Sequence, residues 1–254
     1  MKNISHVTEF LAFVVILNKD ITTEDDNNLL SLENSLKNDL SKFSQINEFE
    51  AKIEGDKVIS STTKKSGALL QSIDSIDGKP IWTLNVSKNQ IIAQCLSYDD
   101  WKAVCSKAIR FINIAIKVLE NDKAVTSLSF QRVDKFVQDK ISDNYSQFDI
   151  LAQDNPYLTP HSHKSGKLWH VHQGWFNYNN DNSKVLNVLN IGTSEKDNDL
   201  NTAINHVSQY FFKDSVSLSN NSQFDKIFEE LYGNNKNVLA SLLNKEQLKT
   251  IKVD

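Results

Sequence analysis

The sequence predicts an α+β protein built on antiparallel sheet. Strand-like segments follow one another across turn residues in 48–94 and again in 167–212. A long amphipathic pattern follows each of these runs, at 97–119 and at 222–242. Runs of strands followed by a helix, without strict strand–helix alternation, are typical of the α+β class. We therefore expect long amphipathic helices packed on one face of the sheet.

The chain opens on an apolar segment, 7–17, that is rich in Val, Ile and Phe and suits a strand covered on both faces. Its apolar run, 10–17, is too short to span a bilayer, and no small-residue cleavage site follows it. We therefore expect a cytoplasmic protein with no membrane partner. Thr22 or Thr23 is expected to cap a helix whose first turn is acidic. The apolar stripe of that helix is Leu29, Leu32, Leu36, Leu40 and Phe43.

Residues 48–94 predict an antiparallel meander. Gly55-Asp56, Asp77-Gly78-Lys79-Pro80 and Ser87-Lys88-Asn89 provide its turns. The sequence between these turns alternates in the way that a sheet with two unlike faces requires. The strands are expected at 48–53, 57–63, 68–74, 81–86 and 90–96.

The clearest helix is expected to start at Ser97, with Asp100 in the capping-box position. A strand at 124–137 follows it. One face of the helix is apolar throughout its length, and Cys105 on that face is expected to be a buried structural thiol. The face consists of Trp101, Val104, Cys105, Ala108, Ile112, Ala115, Ile116 and Leu119.

The C-terminal part predicts strands at 167–176 and 184–192 and a further one at 203–212, for which a helix is an alternative. Ser222 is expected to cap the last long helix, which Gly233-Asn234 could divide in two. No Pro/Gly/Ser linker marks a domain boundary. The prediction is therefore one domain over 1–254, with 1–140 and 141–254 as possible sub-units that share one core.

Composition excludes some partners. The 28 basic residues include only two arginines, Arg110 and Arg132, and no basic face is clustered, so nucleic acid is not expected as the main partner. Two cysteines, Cys95 and Cys105, are too few for a disulfide framework and favour a reducing compartment.

Four of the six histidines lie within twelve residues: His161, His163, His170 and His172. Residues two apart on a strand point to the same face, so His170 and His172 project together, with Trp175 on the opposite face. With the two loop histidines they could hold a zinc ion for a metal-dependent hydrolase or phosphoesterase. No Asp, Glu or Cys lies within the stretch to orient the set, and the polar side of a half-exposed strand explains the same residues without a metal. We favour that second interpretation.

Two H-x-S units, His163-Lys164-Ser165 and His206-Val207-Ser208, resemble the signature of two-histidine phosphoesterases, in which one His acts as base and the other as acid. The first unit falls in a loop and the spacing is short for that family, so coincidence is the better explanation. The chain contains no phosphate-loop, dinucleotide-binding, C-x-x-C or G-x-S-x-G motif.

The layout resembles a family of sporadically distributed prokaryotic proteins of about this length, known only by a catalogue identifier. The resemblance covers most of the chain as a pattern of elements. Its specific points are Tyr98 and Trp101 at the start of the 97–119 helix, "WHVHQGWF" at 169–176, and "NKNVLASLL" at 235–243. The family has no assigned activity. The resemblance implies an accessory-gene product, for which phage defence and toxin–antitoxin modules are common settings.

Together these features predict a non-enzymatic interaction protein that binds a partner protein, without a cofactor. The expected docking residues are Trp175, Tyr178, His170 and His172, because aromatic side chains are enriched at interface hot spots. A homo-oligomer formed through sheet edges is also expected to be possible. The alternative remains a metal-dependent hydrolase in which zinc is bound by His161, His163, His170 and His172.

Overall fold

The computed structural model describes residues 4–21, 26–55, 57–119, 123–138, 145–179, 183–197, 199–219 and 221–251. It confirms the α+β class. Its strands are β1 (Ile4–Leu17), β2 (Lys42–Glu54), β3 (Lys57–Ile73), β4 (Pro80–Ser87), β5 (Gln90–Cys95), β6 (Ala124–Gln138), β7 (His170–Tyr178), β8 (Lys184–Lys196) and β9 (Asp199–Ser217). Its helices are α1 (Asp26–Leu36), α2 (Trp101–Val118), α3 (Phe224–Leu242) and α4 (Lys245–Thr250), with 3₁₀ turns at Gln147–Asp149 and Ser162–Lys164.

The strands are hydrogen-bonded in the order β2-β3-β4-β5-β1-β6-β9-β8-β7. The pairs β2–β3, β3–β4, β4–β5, β7–β8 and β8–β9 are antiparallel, which confirms the predicted meander and the strand nature of 203–212. Within the described part of the chain, no helix is both long enough and apolar enough to cross a membrane.

The chain divides into two compact units. The first unit comprises 1–11, 129–211 and 226–254, and the second comprises 12–128 and 212–225. Each unit draws on chain from both sides of residue 140. The capping residues predicted for α1, Thr22 and Thr23, lie outside the described residues.

In the second unit, the turn at 77–80 forms as predicted. Gly78 has φ +71° there, and Oδ1 of Asp77 accepts a hydrogen bond of 2.9 Å from the backbone N–H of Lys79. The separate strands predicted at 57–63 and 68–74 are wrong, because β3 runs without a break to Ile73. Gly67 allows this continuity, since a Cβ there would lie 2.3 Å from the carbonyl oxygen of Val86 on β4.

Helix α2 buries its predicted apolar face, including Cys105. The helix begins later than predicted, at Trp101, because its N-cap is Asp100 instead of Ser97. The Asp100 backbone is extended, and its Oδ2 accepts a hydrogen bond of 2.7 Å from the N–H of Ala103. Trp101, the first helical residue, stacks on Phe13 of β1 with the ring centroids 5.6 Å apart.

In the first unit, α3 is one continuous helix, so the predicted option of a break at Gly233-Asn234 is wrong. The side chains before and after these residues hold the helix in place. Tyr232 packs edge-on against Phe130 of β6, with the centroids 5.9 Å apart, and the amide of Asn235 bonds the ring of His206 on β9. A buried cluster forms the core of this unit: Phe136, Ile150, Leu151, Leu158, Trp169, Leu189, Ile191, Ile204, Val238, Leu239, Leu242, Leu243 and Ile251.

Candidate protein-binding surface

The two faces of β7 differ in exposure. Val171, Gln173 and Trp175 are half-buried, and Val171 and Trp175 pack against the core cluster. We call this side the inward face. The alternate residues point to the other side, the outward face, and all are exposed: His170, His172, Gly174, Phe176 and Tyr178. Of the four residues predicted to bind a partner, three therefore share the outward face, and Trp175 lies on the inward one.

Trp175 takes part in inward packing. Its ring stacks on Tyr157, with the centroids 5.4 Å apart and the planes 28° apart, and on His206, at 6.1 Å and 18°. Gln173, its neighbour on the same face, donates a hydrogen bond of 3.2 Å to the carbonyl oxygen of Tyr157. These contacts attach the connection before β7 to the sheet.

An aromatic patch occupies one end of the outward face. We define it as Phe176, Tyr178, Lys184, Leu186 and Phe211. The strand register places Tyr178 beside Lys184 and Lys184 beside Phe211, with Phe176 beside Leu186 in the adjoining row. Phe176 is 46% exposed and Tyr178 is 75% exposed. The ammonium of Lys184 lies between two rings, 5.4 Å from the centroid of Phe176 and 5.3 Å from that of Phe211.

The other end of the outward face is polar. Nδ1 of His172 is hydrogen-bonded to Oδ1 of Asn190 on β8, and the amide of Gln131 on β6 donates a bond of 2.9 Å to Asn205 on β9. His170 lies over Gly192, where a Cβ would come within 3.2 Å of its ring. The histidines of β7 therefore belong to a row of polar side chains across the sheet.

The predicted zinc ligands come from two places. His170 and His172 lie on one exposed strand face, as predicted, while His161 is an exposed residue at the start of the Ser162–Lys164 turn. The side chain of His163 is outside the described part of the structure. Among the side chains that are described, no group of three or more His, Cys, Asp or Glu is arranged to hold a metal ion.

The second H-x-S unit is buried. His206 and Ser208 lie on the inward face of β9, 1% and 0% exposed, where the hydroxyl of Ser208 donates a hydrogen bond of 2.7 Å to Asn187. The amide of Asn235 donates to Nδ1 of His206 at 3.1 Å. Burial lowers the pKa of His206 to about 4. A neutral imidazole enclosed in this way is a structural group of the core.

A buried charged cluster was missed by sequence reasoning. The Arg132 guanidinium binds both carboxylate oxygens of Asp134, at 2.7 and 2.9 Å, and Oδ1 of Asp134 also contacts Nε2 of His6 at 2.9 Å and the hydroxyl of Thr8 at 3.0 Å. Burial pushes the pKa of Asp134 upward, but the hydrogen bonds and charges of His6 and Arg132 outweigh it and hold that pKa below its ordinary value. The signal in the sequence was two charges, two residues apart, on the same strand face as Phe130 and Phe136.

Two open cavities lie beside the 145–149 segment. One, of about 550 Å³, is lined by polar residues that include Asp149, Asn244 and Glu246. The other, of about 260 Å³, contains Tyr145, whose hydroxyl accepts a hydrogen bond of 3.0 Å from the indole N–H of Trp169. Burial raises the pKa of Tyr145. Among the described lining residues, neither cavity pairs a nucleophile with a histidine base.

Comparison with known proteins gives no family. No protein-family model matches the chain, and none of the curated proteins matches it. The function therefore has to be inferred from the surface of the chain itself.

Proposed function

We propose that this is a non-enzymatic interaction protein, and that a partner protein docks on the aromatic patch of the outward face. The observation that carries the proposal is the exposure of Phe176 and Tyr178 on the same open strand face. Neighbouring side chains from β8 and β9 extend this into one surface, since Leu186 and Phe211 are only half-buried. Exposed apolar groups that are contiguous, unlike single ones, indicate an interaction site.

The patch also favours a particular partner chemistry. Lys184 is the cation of the patch. The residue is exposed, and its ammonium lies over the rings of Phe176 and Phe211. A partner that presents an apolar ridge with one carboxylate would cover the rings and pair with this ammonium. Aromatic anchors supply most of the affinity in such interfaces, and the charge pair mainly sets orientation and association rate.

We also propose that helix α3 packs on the inward face of the sheet. Asn235 of α3 contacts the inward side of β9 through His206, and Val238 belongs to the inward core. We take the long helix of this unit to pack on that face alone, which leaves the outward face for the partner. The family resemblance adds the biological setting that we propose, a cytoplasmic phage-defence or toxin–antitoxin-like module.

The test is affinity capture from host cells, followed by reconstitution with the purified partner. The double variant Phe176→Ser/Tyr178→Ser removes both anchors without touching the core. Each exposed aromatic anchor typically contributes about 1–2 kcal/mol, so we expect a loss of binding of roughly 30-fold or more. The control is Ile76→Ser, which removes an isolated side chain that is 94% exposed in the β3–β4 turn. Equal affinity of the double variant and wild type for the purified partner would contradict the proposal.

A further inference from the structure

Strand β7 ends the hydrogen-bonded strand order, and its only sheet neighbour among the described strands is β8. Two backbone bonds show which residues face that neighbour. The N–H of Thr193 donates to the carbonyl of Trp169 at 3.0 Å, and the N–H of Asn179 donates to the carbonyl of Ser183 at 2.9 Å. On the β7 side these bonds are made by Trp169 and Asn179, which flank the strand and both have odd numbers. The strand register between them is uninterrupted.

The alternation of an antiparallel ladder then determines the direction of the other backbone N–H and C=O groups of β7. Odd residues of β7 exchange backbone bonds with β8, and even residues direct their N–H and C=O groups away from it. The outward-facing backbone belongs to His170, His172, Gly174, Phe176 and Tyr178. Among the described strands β7 pairs with β8 alone, and no turn, loop or cap hydrogen bond of the described backbone involves these five residues.

The two ends of the sheet differ in how they resist further pairing. Strand β2, at the other end, carries Lys42, Glu48 and Glu54 in its sequence and has two register shifts against β3. Charges and bulges are the usual means by which edge strands avoid pairing with other chains. Strand β7, all nine residues of which are described, has no charged residue, no proline and no register shift.

We propose that β7 pairs with β7 of a second copy of this chain, antiparallel, about a two-fold axis at Gly174. This inference goes beyond the proposed function, because it assigns the backbone edge of β7 to a second copy of the chain. It shares only the Phe176 and Tyr178 rings with the aromatic patch, whose Lys184, Leu186 and Phe211 lie on β8 and β9. Centring the axis on Gly174 pairs all five outward-directed backbone positions in each copy. Any other centre leaves some of them unpaired.

The side chains of β7 complement each other about the same axis. His172 and Phe176 lie two residues before and after Gly174. His170 and Tyr178 lie four residues before and after it. A two-fold axis therefore sets each imidazole against an aromatic ring of the partner subunit, directly across the new strand pair. Side chains directly opposite one another in an antiparallel pair interact, and pairs with an aromatic ring are among the favourable ones. An isologous interface requires self-complementarity of this kind.

Sedimentation velocity over a range of concentrations tests the proposal. The wild-type chain is expected to sediment as a dimer of twice its 28.9 kDa mass at tens of micromolar. His172→Pro removes one edge-directed N–H in each copy, and proline is tolerated on sheet edges. Losing two hydrogen bonds is expected to raise the dimer Kd by about 30-fold or more. The matched variant, His172→Ala, removes the same ring but keeps the N–H, and its Kd should rise much less.

A second measurement decides the matter if the proline variant is poorly folded. Cα atoms of a hydrogen-bonded antiparallel pair lie about 5.5 Å apart, which is within disulfide range. Gly174→Cys should therefore form a covalent dimer under mild oxidation, and Ile76→Cys should not. A wild-type chain that is monomeric at about 100 μM, or a proline variant that dimerises as tightly as the alanine variant, would overturn the pairing. Neither result would contradict partner binding by the aromatic patch, which is measured separately with the purified partner.

Discussion

At the scale of single residues, His206 shows how burial determines charge. Its ring stacks on Trp175, and its Nδ1 accepts the hydrogen bond from the amide of Asn235. A second proton would go to Nδ1 and face that amide N–H. In the described structure the other ring nitrogen, Nε2, has no hydrogen-bond partner that would stabilise a charged ring. Both the environment and the lowered pKa, about 4, therefore keep the imidazole neutral.

This makes stability depend on pH. The pKa of His206 lies below the ordinary value of 6.5, so between these values the unfolded chain binds a proton that the folded chain does not. The contribution of neutral His206 to the free energy of unfolding is complete above about pH 6.5. It falls as the pH drops towards 4. Each pKa unit corresponds to about 1.4 kcal/mol, so the loss is about 3 kcal/mol.

Urea unfolding at pH 7, 5.5 and 4.5 measures this loss. We expect His206→Gln to be less stable than wild type at pH 7 but to lose less stability on acidification. The control is His161→Gln, which changes an exposed histidine and should keep the wild-type slope. Identical slopes for wild type and His206→Gln would show that His206 is not held neutral.

The sequence could indicate some of these residues but not their environment. That His170 and His172 share an exposed face follows from strand alternation alone, and so does the placement of Trp175 on the other face. The burial of His206 and the pairing of Arg132 with Asp134 depend on side chains far away in the chain. His6, for example, reaches Asp134 from 128 positions away.

At the scale of elements, local signals predicted the structure well where they act within a few residues. The apolar stripe of α2 and the turn at 77–80 are examples, since each depends on neighbours in sequence. Errors occurred where a distant contact decides continuity. Strand β3 continues through Gly67 because of the close backbone of β4, and α3 continues through Gly233 between two anchored residues.

The start of α2 provides a prediction at this scale. Asp100→Ala removes the side-chain cap that bonds the N–H of Ala103, and loss of an N-cap typically costs about 1 kcal/mol. The matched change Ser97→Ala should cost much less, because Ser97 lies outside the helix. Chemical unfolding of the two variants measures the difference. If Ser97→Ala were the more costly change, the cap assignment would be wrong.

At the scale of the whole molecule, the account depends on which surfaces are left open. The buried side chains supply a core and a paired charge cluster, and the exposed aromatic residues of β7 lie apart from both. The sequence predicted an interaction protein mainly because it contains no recognisable reaction centre. The structure adds a defined surface, in which residues from β7, β8 and β9 come together through strand register. That register could not be read from the sequence, since it depends on long-range pairing.

The most direct test of partner docking is photo-crosslinking in host cells from single positions of the chain. A photoreactive phenylalanine analogue replaces Tyr178 in one variant and Ile76 in the other, both of which are strongly exposed. The account predicts that position 178 crosslinks to one different protein, identified by mass spectrometry, and that position 76 does not. Crosslinks from position 178 that reach only a second copy of the chain, or that match those from position 76, would contradict partner docking at the aromatic patch.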